Sequence, residues 1–93
     1  MSIQSFKCSD TEDLFNGLVV PRLANLRKAA ERKLQMLESA ATLEFLRSPP
    51  GNRLKQLSAD RGGQYSLRIN DQFRICFVWT EAGPAEVEIV DYH

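Results

Sequence analysis

The sequence predicts an α+β domain in which an N-terminal strand and helices pack on one face of a mainly antiparallel sheet. Three observations lead there. Helical periodicity is confined to the first half, where Leu23, Leu26, Ala30, Leu34, Leu37 and Ala41 recur three or four residues apart and form an apolar stripe that must be covered. After Ser48-Pro49-Pro50-Gly51 the pattern changes to period two, in short runs separated by turn residues. Helices first and strands after is the order expected when helices back an antiparallel sheet. With 93 residues, 43% of them hydrophobic, residues 1–93 are expected to form a single domain with one small core.

Each element has its own signal. Ile3 to Lys7 is short, mixes apolar and polar side chains, and reads as a strand. A brief helix follows, with Ser9 or Asp10 as its cap, Glu12 and Asp13 at its positive end, and Gly17 closing it in a left-handed conformation. Pro21 suits the start of the second helix, and the two prolines at 49 and 50 end the helical region, because proline has no amide to donate and disfavours helical geometry in the residue before it. Ala40 to Arg47 is read as helical, either continuing that helix or forming a third. Strands are expected over Arg53–Leu57, Tyr65–Ile69, Gln72–Thr80 and from Ala85 onward, with turns at Asp60-Arg61-Gly62-Gly63, Asn70-Asp71 and Glu81-Ala82-Gly83-Pro84. Asn70-Asp71 is read as a two-residue hairpin turn using positive φ. The most apolar strand, Gln72–Thr80, belongs in the centre of the resulting meander.

Composition narrows the function. Twelve basic and twelve acidic residues cancel, yet the charge is segregated. Arg47, Arg53, Lys55, Arg61, Arg68 and Arg74 face only Asp60 and Asp71 between residues 47 and 74, whereas Glu81, Glu86, Glu88 and Asp91 meet no cation between 81 and 91. A second basic run, Arg22, Arg27, Lys28, Arg32 and Lys33, reads as a solvated helix face. Cys8 and Cys76 lack CxxC spacing, and one histidine excludes a His-based metal cluster, so neither metal nor cofactor is expected. The longest apolar run is Ile75–Trp79, which is too short to span a membrane, and the opening residues lack the apolar stretch of a secretion signal; a cytoplasmic protein is expected. No phosphate-binding glycine loop or nucleophile elbow is present.

What remains is one concentration of suitable groups. Strand alternation sends Phe73, Ile75, Phe77 and Trp79 toward the helices and Gln72, Arg74, Cys76 and Val78 away from them. Arg68, out of phase with Leu67 and Ile69, emerges beside Arg74, with Lys55 on a neighbouring strand. Two arginines on an uncovered sheet face suit a phosphodiester, because a guanidinium matches two phosphate oxygens and fixed positive charge stabilises a pentacoordinate phosphate. On pattern alone they serve equally well as solvated surface arginines. Asp91, Tyr92 and His93 close the last expected strand, where a histidine or aspartate can transfer protons or simply fray into solvent.

Three stretches carry a family resemblance: Ser48-Pro49-Pro50-Gly51-Asn52-Arg53-Leu54, the run from Gly63 through Ile69-Asn70-Asp71-Gln72-Phe73-Arg74 to Phe77, and Val87-Glu88-Ile89-Val90-Asp91-Tyr92-His93. With the opening Ile3-Gln4-Ser5-Phe6 and the helical region, essentially the whole chain resembles the HigB killer proteins of the RelE toxin superfamily. The resemblance implies a RelE-like fold whose open face docks in the ribosomal A site and cleaves mRNA without metal, through attack of a ribose 2′-hydroxyl on the adjacent phosphate. It implies Asp91, Tyr92 and His93 as catalytic residues, with Arg74 stabilising the phosphate. Gln72 would lie near the substrate, and Arg53, Arg61 and Arg68 would complete an RNA-binding face. Some relatives carry histidine where this chain has Lys55. A lysine titrates near ~10 in water, so Lys55 is expected to supply charge while His93 takes the proton-transfer role. The implied partners are a HigA-type helix-turn-helix antitoxin, the ribosome with its mRNA, and operator DNA reached through the antitoxin complex. The alternative is a weak or inactive homologue serving as an antitoxin-binding corepressor module.

Overall fold

A computed structural model of the chain describes residues 2–91. Helix α1 spans Ser9–Phe15, a 3-10 helix spans Pro21–Leu26, and α2 spans Arg27–Ser39. A four-stranded antiparallel sheet follows, with β1 Lys55–Gln56, β2 Gln64–Arg68, β3 Phe73–Thr80 and β4 Gly83–Asp91 in the order β1-β2-β3-β4. The expected meander is therefore present, and β3 is an inner strand. From the helices, Leu23, Leu26, Ala30, Leu34 and Leu37 bury their side chains against Leu67, Ile69, Ile75, Phe77, Val87 and Ile89 of the sheet half. This single layer contact forms the core of the domain.

Local chemistry shifts several boundaries. Cys8, not Ser9 or Asp10, occupies the cap position of α1, and no side-chain hydrogen bond caps the helix; the Asp10 carboxylate is engaged by Arg22 Nε at 2.6 Å. Gly17 does adopt positive φ (88°) and closes the helix as expected. The helical region from Pro21 is split into a 3-10 piece and α2, and it stops at Ser39, where Ala40 turns extended. Ala40 is consequently the buried alanine and Ala41 is exposed, since the helical period ends before it reaches position 41. Beyond it, only Glu44–Arg47 is helical, as one 3-10 turn.

Among the strands, the run expected over Arg53–Leu57 shrinks to Lys55–Gln56, because Pro50–Asn52 forms a 3-10 turn and Arg53 is left-handed (φ 45°, ψ 54°). The hairpin at Asn70-Asp71 does not use positive φ. Instead Asn70 Oδ1 accepts from the amides of Gln72 (2.9 Å) and Phe73 (2.8 Å), a side-chain turn that substitutes for the two-residue type. Among the described residues the N-terminal segment makes one isolated bridge, Phe6 to Val87, running parallel to β4. A bulge in β4 explains this: the register jumps between Cys76–Glu88 and Val78–Ala85, with Glu86 left-handed. Gln4 N reaches Pro84 O at 2.8 Å, while Ser5 and Lys7 bracket Val87 beyond the bulge. The buried hydroxyl of Thr11 then accepts from Ile89 N at 3.0 Å, so α1 and the N-terminal segment together cover the outer edge of β4.

A candidate active site on the open sheet face

The ladder register assigns side chains to the face away from the helices. Lys55, Ser66, Cys76 and Glu88 form one row across all four strands, and Arg68, Arg74 and Val90 form the next. Directly opposed residues share a face. Cys76 is fully buried without joining the helix-side core, which places it beneath the polar groups of this second face. Burial raises its thiol above the ordinary value, the carboxylate of Glu88 adds to the rise, and Arg61, Arg74 and Lys7 pull it back in part. Such a thiol is no nucleophile. Cys8 differs: burial alone would raise it, but the amides of Thr11 and Asp10 and the Arg22 guanidinium outweigh burial and lower it.

Arg74 is held at two points. Its Nε donates to Ser66 Oγ at 2.9 Å and its Nη2 to the backbone carbonyl of Arg53 at 2.8 Å. Both acceptors are neutral groups, and together they orient the guanidinium. Lys55 is paired with Ser66 across the β1–β2 ladder, which puts Lys55 and Arg74 on either side of one serine. Arg68 lies directly opposite Arg74 and bonds to the exposed Asp71. Two like charges therefore stand opposite each other across the ladder, with the Asp71 carboxylate beside Arg68.

The remaining predicted groups are distributed around this centre. Arg61 is at a different position on the face, where its Nη1 donates to Glu88 Oε1 at 2.9 Å and to Gln64 Oε1 at 3.3 Å, with Lys7 Nζ 3.9 Å from the same carboxylate oxygen. Gln72 Nε2 donates to Asp91 Oδ2 at 2.9 Å. Asp91 pairs with Phe73, one residue past the Arg74–Val90 pair, so alternation directs it toward the helix-side face while Val90 shares the row of Arg74. Tyr92 and His93 lie outside the described residues. Among the described residues no group of three or more His, Cys, Asp or Glu side chains is placed to hold a metal.

Three participants escaped the sequence reading. Ser66 was detectable by alternation, since it falls in phase with Gln64 and Arg68. Asn52 is fully buried, and its Nδ2 donates to Leu46 O at 3.1 Å and Ser48 O at 3.3 Å while its Oδ1 accepts from Lys33 Nζ. Lys33 thus leaves the solvated helix face assigned to it: burial first, then the positive charges of Arg32 and Arg68, lower its pKa. Glu88 required the register to find. Two surface pockets, of about 230 and 470 Å³, are lined by Phe15, Glu31, Leu34 and Gln35 and by residues 24–29 with Arg32. Neither lining includes a residue of the open face.

No helix among the described residues is long and apolar enough to cross a membrane. Toxin HigB-1 of Vibrio cholerae serotype O1 is 38% identical over 58 residues, 62% of this chain and 61% of that protein. An uncharacterized protein of Haemophilus influenzae is 39% identical over 54 residues, 58% of this chain and 54% of its own length. The chain therefore aligns with less than two thirds of either relative. The family described as the RelE-like toxin of type II toxin-antitoxin system HigB matches residues 17–93, a span that takes in α2, the whole sheet and every open-face group except Lys7, and on that match the chain belongs to the HigB-like toxin family.

Proposed function

We propose that this chain is a toxin that inhibits translation as a ribosome-dependent, metal-independent mRNA endonuclease in the cytoplasm. The observation that carries the reading is the Arg74 guanidinium, oriented by Ser66 and the Arg53 carbonyl on an open face with Lys55 across the same serine. In the reaction a ribose 2′-hydroxyl loses its proton and attacks the adjacent phosphorus. The bond to the 5′-oxygen breaks, and that oxygen takes up a proton, leaving a cyclic phosphate and a 5′-hydroxyl. Arg74 and Lys55 stabilise the charge that gathers on the phosphate. His93, with Tyr92 and Asp91, handles the protons, and Arg53, Arg61, Arg68 and Gln72 hold the RNA. An open face has little means of aligning a substrate by itself, and alignment supplies a large part of such a barrier; the ribosome provides it. A HigA-type helix-turn-helix antitoxin is the protein partner, and the pair reaches operator DNA through the antitoxin.

One observation favours a second reading. Asp91 is directed away from the row of Arg74 and is engaged by Gln72, as would suit an inactive homologue retained as an antitoxin-binding corepressor. Induction of the chain without its partner separates the two. The endonuclease reading expects growth arrest with codon-restricted cuts in translated mRNA, and purified protein that cuts ribosome-bound mRNA much faster than free RNA. Normal growth without cuts, in protein that still binds antitoxin, would decide for the corepressor.

A further inference from the structure

Ser66 sits fully buried in β2, opposite Cys76 on one side and Lys55 on the other. A hydroxyl in such a place must be hydrogen-bonded, and the donor it receives is the side chain of Arg74, at 2.9 Å. The second acceptor on that guanidinium belongs to a residue in a conformation that non-glycine residues rarely adopt: Arg53 is left-handed, and its carbonyl meets Arg74 Nη2 at 2.8 Å. Strained backbone persists where its surroundings over-determine it. Asn52 does this immediately upstream, pinned to Leu46, Ser48 and Lys33 from a fully buried position. Two acceptors from separate segments, one a sheet residue and one an anchored turn, thus fix both the position and the plane of the guanidinium.

We infer that Ser66 is a positioning residue: its buried hydroxyl, together with the backbone carbonyl of Arg53, sets the plane in which Arg74 meets the substrate phosphate. The inference rests on the proposed role of Arg74. An arginine side chain left to rotate has to be ordered during the reaction, whereas one ordered at folding is already complementary to the transition state. Charge comes from Arg74 and direction from Ser66.

The test uses the full chain on ribosomes programmed with a defined mRNA, under single-turnover conditions, with Ser66→Ala, Ser66→Cys, Arg74→Ala and the double variant Ser66→Ala/Arg74→Ala. Cysteine keeps the volume but accepts hydrogen bonds weakly, so it covers the case in which the alanine variant packs poorly. Loss of a hydrogen bond to a charged group predicts a cleavage rate at saturation about tenfold lower in both serine variants. The half-saturating ribosome concentration should move less than about twofold, because an interaction realised only in the transition state lowers the rate and not the binding. In the Arg74→Ala background, removing Ser66 should cost nothing further. Full activity of both serine variants beside an impaired Arg74→Ala overturns the inference alone. A serine effect that persists in the Arg74→Ala background also overturns it, by showing that Ser66 acts through something else. A fully active Arg74→Ala removes the proposed role of Arg74, and the inference falls with it.

Discussion

Lys55 and Arg74 flank the same serine from neighbouring strands, but the sheet holds them differently. Arg74 is half-buried and fixed at two points, whereas Lys55 is exposed on the two-residue edge strand β1. A cation on a short edge strand contributes field more than geometry, and a lysine is a compact point charge on a flexible stem. Lys55→Arg is therefore expected to keep cleavage of ribosome-bound mRNA within several-fold of the parent, while Lys55→Ala loses on the order of a hundredfold, the scale of one preplaced electrostatic group. Equal loss in the two variants would assign the amine a specific chemical role instead. At this scale alternation alone located the pair Arg68 and Arg74 and the side occupied by Lys55. It did not foresee the bond from Arg61 to Glu88, because that contact joins the turn before β2 to β4. The resemblance implied Asp91 as catalytic, and the register pairs it with Phe73, one residue past the Arg74–Val90 pair. Tyr92 and His93 stood out by position at the end of the last strand, but their catalytic role came from family resemblance, since a histidine at a strand end carries no periodic signal.

Among the elements, the β3–β4 turn and the N-terminal segment depend on one glycine. Gly83 has φ 133°, and a Cβ built there would lie 2.4 Å from the carbonyl oxygen of Ser2. Both the backbone angle and the contact exclude a larger residue without movement, and the obstacle is main chain, which cannot rotate aside. Gly83→Ala should lower stability to urea by about 2–3 kcal/mol and displace the strand-like segment at Gln4–Lys7 from β4. Gly51→Ala is the control: nothing lies within 4 Å of its Cβ and its φ is not positive, so it should change stability by less than about 0.5 kcal/mol. Equal unfolding midpoints for the two variants would mean that the N-terminal segment does not dock on this turn. The same dependence explains what was legible about the elements. Helices, strands, their order and the buried faces followed from periodicity, because each pattern reports the core it covers. The N-terminal strand was recognised as extended, but its single bridge was not predictable, since the bulge that interrupts its pairing lies some eighty residues away. The turn at Asn70 was placed correctly and typed wrongly: asparagine served through its side chain instead of through positive φ.

For the molecule as a whole, equal numbers of acids and bases conceal two faces of different character. On the helix side Arg27 is paired with Glu31 at 3.4 Å, a solvent-exposed i,i+4 contact of small energetic weight. On the sheet side Arg68 and Arg74 are paired across one ladder, with Lys55 on the neighbouring strand and the Arg53 backbone carbonyl bonded to Arg74. Nucleic acid responds to the local field of such a face and not to the sum over the chain, and each phosphate neutralised by a cation releases condensed counterions. Affinity for mRNA-programmed ribosomes should accordingly fall with salt even though the net charge is zero. Three or four phosphate contacts to a single strand predict a loss on the order of tenfold or more between roughly 50 and 200 mM monovalent salt. Arg53→Gln removes one cation of the proposed RNA-binding set and should lower the slope of log affinity against log salt by about 0.7. Arg27→Gln should leave that slope unchanged, since its partner is already an acid on the opposite layer. Affinity measured across the salt series for the three proteins checks all of this together. Salt-independent binding, or a slope altered as much by Arg27→Gln as by Arg53→Gln, would show that the cations of the sheet face are not what the phosphates meet.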